Sequence, residues 1–152
     1  MVSLLDHAFD ATDALRAFEK RAAGAGAIVS FTGLVRDTGK FGEVMTLHLQ
    51  AYSPLTERGI AAAVAEAEAR WPLTATSVIH RIGDMAPAEP IVFVATASAH
   101  RRAAFEAADF LMDYLKTEAV FWKKETTASG DHWIEPRNED YSDRDRWSKT
   151  GS

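Results

Sequence analysis

Apolar positions along the chain alternate between stretches of helical period and stretches of strand period. Between Asp10 and Ala23, Leu15, Phe18 and Ala22 recur at helical spacing, with Asp10 or Thr12 as N-cap and Gly24 as a stop, which predicts a first helix. After a GAG turn, AIVSFTGLV (27–35) is rich in strand formers, and RDTGKFGE connects it to VMTLHLQAY (44–52). In that second run Met45, Leu47, Leu49 and Ala51 alternate with Val44, Thr46, His48 and Gln50, so the two runs read as a long hairpin. Ser53 and Pro54 suit an N-cap and first turn, and the alanine-rich stretch through Arg70 predicts a second helix that Trp71 and Pro72 end. TATSVIHRIG predicts a strand, GDMAPAEP a turn-rich connection, and IVFVATA a continuous apolar strand of the buried kind. Farther on, Ala104, Phe105, Ala108, Leu111, Met112 and Leu115 form one stripe of a third helix, directed at a core. VFWKKE returns to alternation, and HWIE adds a short strand after the turn residues SGD. This order gives an α+β fold, with residues 1–136 as one domain and 137–152 as a polar, flexible C-terminal tail.

Composition narrows the chemistry. A chain of 152 residues with 47% hydrophobic and 26% charged residues is an ordinary globular domain, short enough that a partner or a homo-oligomer is expected. No apolar run approaches a membrane span, and MVSLLDHAFDATD puts acids where a secretory leader needs bases, so a cytoplasmic protein is expected. A net charge of -5 argues against nucleic-acid binding. Cysteine is absent, which excludes disulfides, thiolate metal sites, cysteine nucleophiles and sulfur carried on this chain. No histidine pair has zinc-helix spacing, so no metal is expected, and no P-loop, dinucleotide fingerprint or serine elbow is present.

Two groups of cations stand out. YLKTEAVFWKKE sets Lys116, Lys123 and Lys124 against Tyr114, Leu115, Phe121 and Trp122. Lysine stems often lie along apolar surface with their ammonium groups in water, whereas a cationic site against a hydrophobic wall lowers a lysine pKa and permits proton transfer. The second group is SAHRRAAFE, where the third helix begins near Ser98 and puts His100 and Arg101 in its first turn. Cations are misplaced there, at a cost of about 0.3–1 kcal/mol each, unless an anion completes the site. Arg102 lies four residues before Glu106 and reads as a surface pair, while Arg36 closes the FTGLVR strand as a further anion-binding candidate.

The runs FTGLVRD, VIHRIGDM, IVFVATASAHRRAAFEAADFLMDYLKTEAVFWKKE and SGDHWIEPR resemble the catalytic large subunit of molybdopterin synthase, from Gly26 to Arg137. The resemblance implies an α/β-hammerhead type fold with an added small antiparallel β subdomain. It also implies a sulfurtransferase of molybdenum cofactor biosynthesis, which converts cyclic pyranopterin monophosphate (precursor Z) to molybdopterin. Both sulfurs would come from a small ubiquitin-like carrier subunit whose C-terminal Gly-Gly ends in a thiocarboxylate. A central homodimer within a heterotetramer is implied, with no cofactor of its own.

Carried onto this sequence, Lys116 and Lys123 match the family's catalytic lysines, Lys116 beside the carrier's terminal carbonyl and Lys123 near the substrate. Arg36, His100, Arg101 and Arg137 match substrate-binding positions, and Lys124 falls where the family varies between lysine and arginine. Two stretches depart from the family's pattern. QAYSPLT keeps only Tyr52 of a Glu-His-Tyr run, and GDMAPAEP has Ala88 in place of a glycine, which is expected to alter loop shape. Two rival readings remain open at this point: a non-catalytic carrier-binding scaffold and a small-anion-binding regulatory domain.

Overall fold

The computed structural model describes residues 1–119, 121–135 and 138–149. Its centre is β8 (Pro90–Ser98), buried at seven consecutive positions, Val92 to Ser98, and paired antiparallel with β6 (Leu73–Arg81) on one side and β2 (Ala27–Leu34) on the other. β1 (Val2–Leu5) extends this sheet parallel to β6, giving the order β1-β6-β8-β2. Successive residues of a strand point to opposite faces, so a strand covered on both sides is mostly apolar, and its buried hydroxyls, Thr96 and Ser98, are hydrogen-bonded within the protein. Val92 and Val94 join Val78 in a core under α2 (Leu55–Arg70) and α3 (Arg101–Thr117), while Phe93, Ala95 and Ala97 meet Phe18 of α1 (Ala11–Arg21) and its C-cap residue Ala22. Each large side chain so buried contributes about 1.5–3 kcal/mol.

A second sheet, ordered β10-β9-β5-β7, is antiparallel throughout and consists of β5 (Thr46–Ala51), β7 (Gly83–Met85), β9 (Phe121–Thr127) and β10 (Gly130–Ile134). Its inner face contributes Leu47, Leu49 and Met85 to a small core with Val35. Among the described residues no helix is long and apolar enough to cross a membrane.

The helices start and stop where the residue pattern requires. Asp10 caps α1 by accepting from the Thr12 and Asp13 amides at 2.8 and 3.1 Å. α2 begins after Pro54 without a side-chain cap from Ser53, and it ends at Trp71 before Pro72.

The expected long hairpin is not formed. β2 pairs with β8 in the first sheet and β5 pairs with β7 and β9 in the second, while the connection folds into its own ladder of β3 (Thr38–Gly39) and β4 (Gly42–Glu43). Alternation identifies a strand but not its neighbour, and Val35 must leave the first sheet to enter the core of the second. Phe105 also departs from expectation. It is 59% exposed, and the buried stripe of α3 runs through Ala104, Ala107, Ala108, Phe110, Leu111 and Leu115.

The segment read as a polar tail carries α4 (Asn138–Asp145) and a 3₁₀ turn (Arg146–Lys149). Trp147 explains the docking. Trp147 stands edge-on to Trp71 and Phe110, with ring centroids 5.6 and 5.8 Å apart, and its indole N–H donates to Asp113 at 2.6 Å. Ala88 adopts φ 73°, the left-handed region that glycine enters without steric cost, so the turn takes a glycine-type conformation on an alanine.

Gly26 stands where β2 passes the entry to α3, its N–H donating to the Ser98 carbonyl at 3.0 Å. A Cβ there would lie 2.1 Å from the Ala99 carbonyl oxygen, a backbone atom that cannot swing aside. Gly26→Ala is therefore expected to cost about 1–3 kcal/mol, measured by urea unfolding. An unchanged midpoint would show that the β8–α3 junction yields freely.

Candidate active site

Two separate features hold the cationic residues, and both belong to α3. At its N-terminus, Thr96 Oγ1 donates to the Ala104 carbonyl at 2.6 Å and Ser98 Oγ to the Pro72 carbonyl at 2.8 Å, fixing where strand becomes helix. His100 is the N-cap residue, with extended backbone and no side-chain capping bond, and the first turn holds no acid. The first-turn amides therefore lack a side-chain acceptor, and His100 and Arg101 are exposed beside them.

At the other end of α3, Lys116 lies in the last turn, where the helix dipole favours a cation. Arg101 and Lys116 are fifteen residues apart, about 22 Å along the helix axis at 1.5 Å per residue. Within one chain the two ends of α3 therefore cannot serve one small substrate.

Lys123 joins Lys116 from the second sheet. It is the third residue of β9, opposite Leu49 on β5 and Ile134 on β10, and shares the inner strand face with Phe121 and Glu125. Its pKa is held below the ordinary lysine value, first by burial and then by the Lys116 and Arg36 charges, with Glu125 and Asp140 opposing the shift. The structure thus brings together Arg36, Lys116 and Lys123 of the expected set. His100 and Arg101 lie at the far end of α3, and Arg137 lies outside the described residues.

Trp122, expected in the wall beside the lysines, is instead on the outer face of β9. It is 52% exposed and stands edge-on to Trp133 and Tyr52. Lys124 shares that outer face, 3.8 Å from Asp131 and over the Trp133 ring. Strand alternation forces this separation, since neighbours in β9 cannot face the same side.

Two polar groups at the site carried little weight in the sequence. Glu125 is 7% exposed, its Oε1 has no hydrogen-bond partner among the described residues, and Gly39 lies so close that an added Cβ would be 2.5 Å from that oxygen. An inward-facing acid two residues after Lys123 is the signal that could have found it. His80, in β6, is also 7% exposed; its ring stacks on Phe121 with centroids 4.2 Å apart, and Nδ1 lies 3.0 Å from the Arg81 carbonyl. Burial lowers its pKa to about 4, against the Arg81 hydrogen bond and with help from the Lys116 charge. Nothing in the alternation of β6 distinguishes it from a core residue.

Among the described residues no group of three or more His, Asp or Glu side chains is placed to hold a metal ion. The arrangement is a half-buried amine of lowered basicity, flanked by fixed cations and by one buried carboxylate. Such a site stabilises anions and exchanges protons.

Comparison with known proteins adds family and fold. The model of the MoaE protein family matches residues 4–118. The molybdopterin synthase catalytic subunit of Pseudomonas aeruginosa is 49% identical over 142 residues, covering 93% of this chain and 95% of that one. The subunit of the same name from Escherichia coli is 51% identical over 122 residues, covering 80% and 81%. Among solved structures, a molybdopterin biosynthesis MoaE protein from Burkholderia ambifaria superposes with a TM-score of 0.82 at 38% identity, covering 97% of each chain.

The buried imidazole has a consequence for stability. Between pH 6.5 and about 4 the unfolded chain binds a proton at position 80 that the folded chain does not, so this residue's contribution to stability falls as the pH drops through that window. The difference in unfolding free energy between the parent and His80→Phe is expected to change by up to about 1.4 kcal/mol per pH unit there, to the parent's disadvantage on acidification. A difference that stays constant from pH 7 to 4 would show that the imidazole charges freely in the folded state.

Proposed function

The chain belongs to the MoaE protein family, and we infer that it is the catalytic subunit of a molybdopterin synthase, which builds the dithiolene of molybdopterin on a cyclic pterin phosphate. The observation that supports this most directly is the half-buried Lys123, its pKa lowered by burial, Lys116 and Arg36. Precursor Z is the substrate, and a small sulfur-carrier subunit with a C-terminal Gly-Gly thiocarboxylate is the partner. The absence of cysteine fits a subunit that receives sulfur without carrying it.

In the reaction proposed, the carrier's thiocarboxylate sulfur attacks a pterin side-chain carbon that bears an oxygen of the cyclic phosphate; the carbon–sulfur bond forms as that carbon–oxygen bond breaks, which opens the cyclic phosphate to a monoester and leaves the carrier joined through an acyl link. Water hydrolyses that link, releasing the carrier as a carboxylate and leaving the sulfur on the pterin. A second carrier repeats the transfer at the adjacent oxygen-bearing carbon, whose oxygen leaves as water. Each stage gathers negative charge, which Arg36 and Lys116 stabilise without reorganising. Lys116 holds the carrier's terminal carbonyl. Lys123, with its lowered basicity, exchanges protons at the substrate.

His100 and Arg101 require a second copy. β2 ends the first sheet among the described residues, and Ile28, Phe31 and Leu34 on it are 39%, 42% and 51% exposed, while Phe105 of α3 is 59% exposed. A homodimer joined along this edge would cover apolar residues on both faces of the strand, and a two-fold axis across β2 would exchange the ends of the strand. Residue 27 of β2 pairs with Ser98, just before the N-terminus of α3, and its other end leads to Arg36. One copy's His100 and Arg101 would thus approach the other copy's Arg36, Lys116 and Lys123, and the anion-ready helix end would bind the pterin phosphate. Arg137 is proposed as a further substrate contact. In this reading the first sheet and its helices form the α/β-hammerhead, the second sheet is the added β subdomain, and the enzyme works in the cytoplasm.

The test is dithiolene formation from the pterin precursor with thiocarboxylated carrier. Lys116→Ala is expected to lose about a hundredfold or more in turnover while still folding and binding carrier. Arg101→Ala and Lys123→Ala, each inactive alone, are expected to regain about a quarter of parental activity when mixed and re-paired, because half the dimers then carry one intact site. Carrier binding without product from the parent would leave a scaffold. No carrier binding would leave an anion-binding domain, and failure of the mixture alone would put all the site residues within one copy.

A further inference from the structure

Three crossings of the chain between the two sheets meet at one place, around a buried arginine. β2 leaves the first sheet after Leu34, which pairs with Pro90, and Val35 enters the core of the second sheet with Leu47, Leu49 and Met85. β6 ends at Arg81, the Ile82 amide still donates to the Leu5 carbonyl at 2.7 Å, and β7 begins in the second sheet at Gly83. The turn after Met85 returns the chain to the first sheet at Pro90.

Arg81 is 8% exposed. Its Nη1 donates to Glu89 Oε2 at 3.1 Å and its Nη2 to the Asp84 carbonyl at 3.2 Å, so one guanidinium spans both ends of the returning turn. The other Glu89 carboxylate oxygen accepts from the Ala86 amide at 2.6 Å. The turn so braced grips Val35 from both sides. The Val35 amide donates to the Glu89 carbonyl at 2.9 Å, and the Ala88 amide donates to the Val35 carbonyl at 2.8 Å. Ala88 makes that bond from φ 73°, a conformation that an alanine holds only where its surroundings impose it.

A buried pair of this kind is a weak source of stability, because desolvating the guanidinium offsets most of what the contact returns. Here the Nε–H of Arg81 also lacks a hydrogen-bond partner among the described residues. What the pair supplies is direction: a planar fork fixes two acceptors relative to each other, which a lysine or an apolar side chain cannot do. The residue next to the clamp is Arg36, and Leu49, which packs with Val35, is the cross-strand partner of Lys123. The clamp therefore sets where the Arg36 backbone stands relative to the strands that carry Lys123.

We propose that Arg81 and Glu89 are positioning residues for Arg36: through the turn 84–89 they hold Val35 at the sheet junction and fix the point from which Arg36 reaches the substrate anion. Neither touches a reacting atom. This inference rests on the synthase reading for its kinetic consequence, whereas the clamp itself is measured without turnover.

The experiment uses nuclear magnetic resonance on the full chain for the parent, Arg81→Lys and Glu89→Gln. Arg81→Lys keeps the charge and loses the fork, and Glu89→Gln, on a partly exposed side chain, serves should Arg81→Lys not fold. In both variants the Val35 and Ala88 amides are expected to exchange hydrogen about tenfold faster, with Val94 in the centre of β8 unchanged. The Arg36 amide, rigid in the parent by nitrogen-15 relaxation, is expected to gain nanosecond mobility. Parental protection at Val35 and Ala88, or an Arg36 as rigid as in the parent, overturns the proposal. Equal acceleration at Val94 overturns it too, because the pair would then be supporting the whole fold. Turnover follows in two backgrounds: Glu89→Gln is expected to lower kcat/KM for the pterin about tenfold in the parent and to add less than about twofold to the loss in Arg36→Ala. The same factor in both backgrounds, or no loss in the parent, overturns the proposal. If the parent makes no product the synthase reading fails, and the exchange and relaxation measurements still decide this one, as they do if Arg36→Ala is inactive.

Discussion

β8 must be apolar on both faces at once, and the rest of the structure follows from that requirement. Val92 and Val94 face one core while Phe93, Ala95 and Ala97 face the other, so helices have to cover both sides of the first sheet. The alanines matter as much as the large residues, because they let α1 approach the sheet closely around Phe18. The strand then runs without a long loop into α3, and the Thr96 and Ser98 hydroxyls satisfy carbonyls on either side of the junction. A junction this tightly bonded leaves α3 little freedom of direction. Both cationic sites are therefore positioned by one strand: the first by where α3 begins and the second by where it ends.

Concentrating Arg36, Lys116 and Lys123 carries an electrostatic cost, and the structure limits it in three ways. Lys116 sits at the helix end where the dipole offsets its charge, and Arg36 remains exposed to solvent. Lys123 is the group that cannot be solvated, so the strain falls on its protonation equilibrium. Glu125 and Asp140 restore part of the balance. Glu125 is itself buried with one oxygen lacking a hydrogen bond among the described residues, an expensive arrangement unless a cation or a donor faces it. The Glu125 charge offsets part of the downward shift at Lys123, although no ion pair joins the two side chains among the described residues.

Legibility in the sequence followed the range of the interaction involved. The apolar stripe of α3, the double-sided β8, the misplaced cations at His100 and Arg101, and Lys116, Lys123 and Lys124 beside aromatic residues are local patterns visible as residue spacing, while the choice of Lys116 and Lys123 among the three lysines came with the family resemblance. The sheet assignment of β2 and β5 was not, because both alternate acceptably and only the need for Val35 in the second core separates them. Trp122 was placed on the wrong side for a related reason. Composition put it beside the lysines, but strand geometry alternates faces and turns it toward Trp133. His80 was invisible in kind, since a histidine in an apolar strand looks the same whether or not its ring stacks on an aromatic neighbour. Phe105 fits the helical period of a core residue and is exposed, because helical period places a residue on a face without saying what covers that face.

That last point joins the fold to the chemistry. About 22 Å of helix separates Arg101 from Lys116, and no side chain is long enough to close that distance. The cost of exposed Ile28, Phe31, Leu34 and Phe105 and the cost of cations at a helix N-terminus look like two unrelated defects in an isolated chain. In the dimer proposed above, a two-fold contact across β2 would remove both together: it would bury the apolar residues and bring an anion-binding helix end to the lysines of the opposite copy. β2 has eight residues, about 24 Å end to end at the rise of an antiparallel strand, close to the separation along α3. Because edge strand and helix have nearly the same length, the exchange of ends would close the gap without deforming either element.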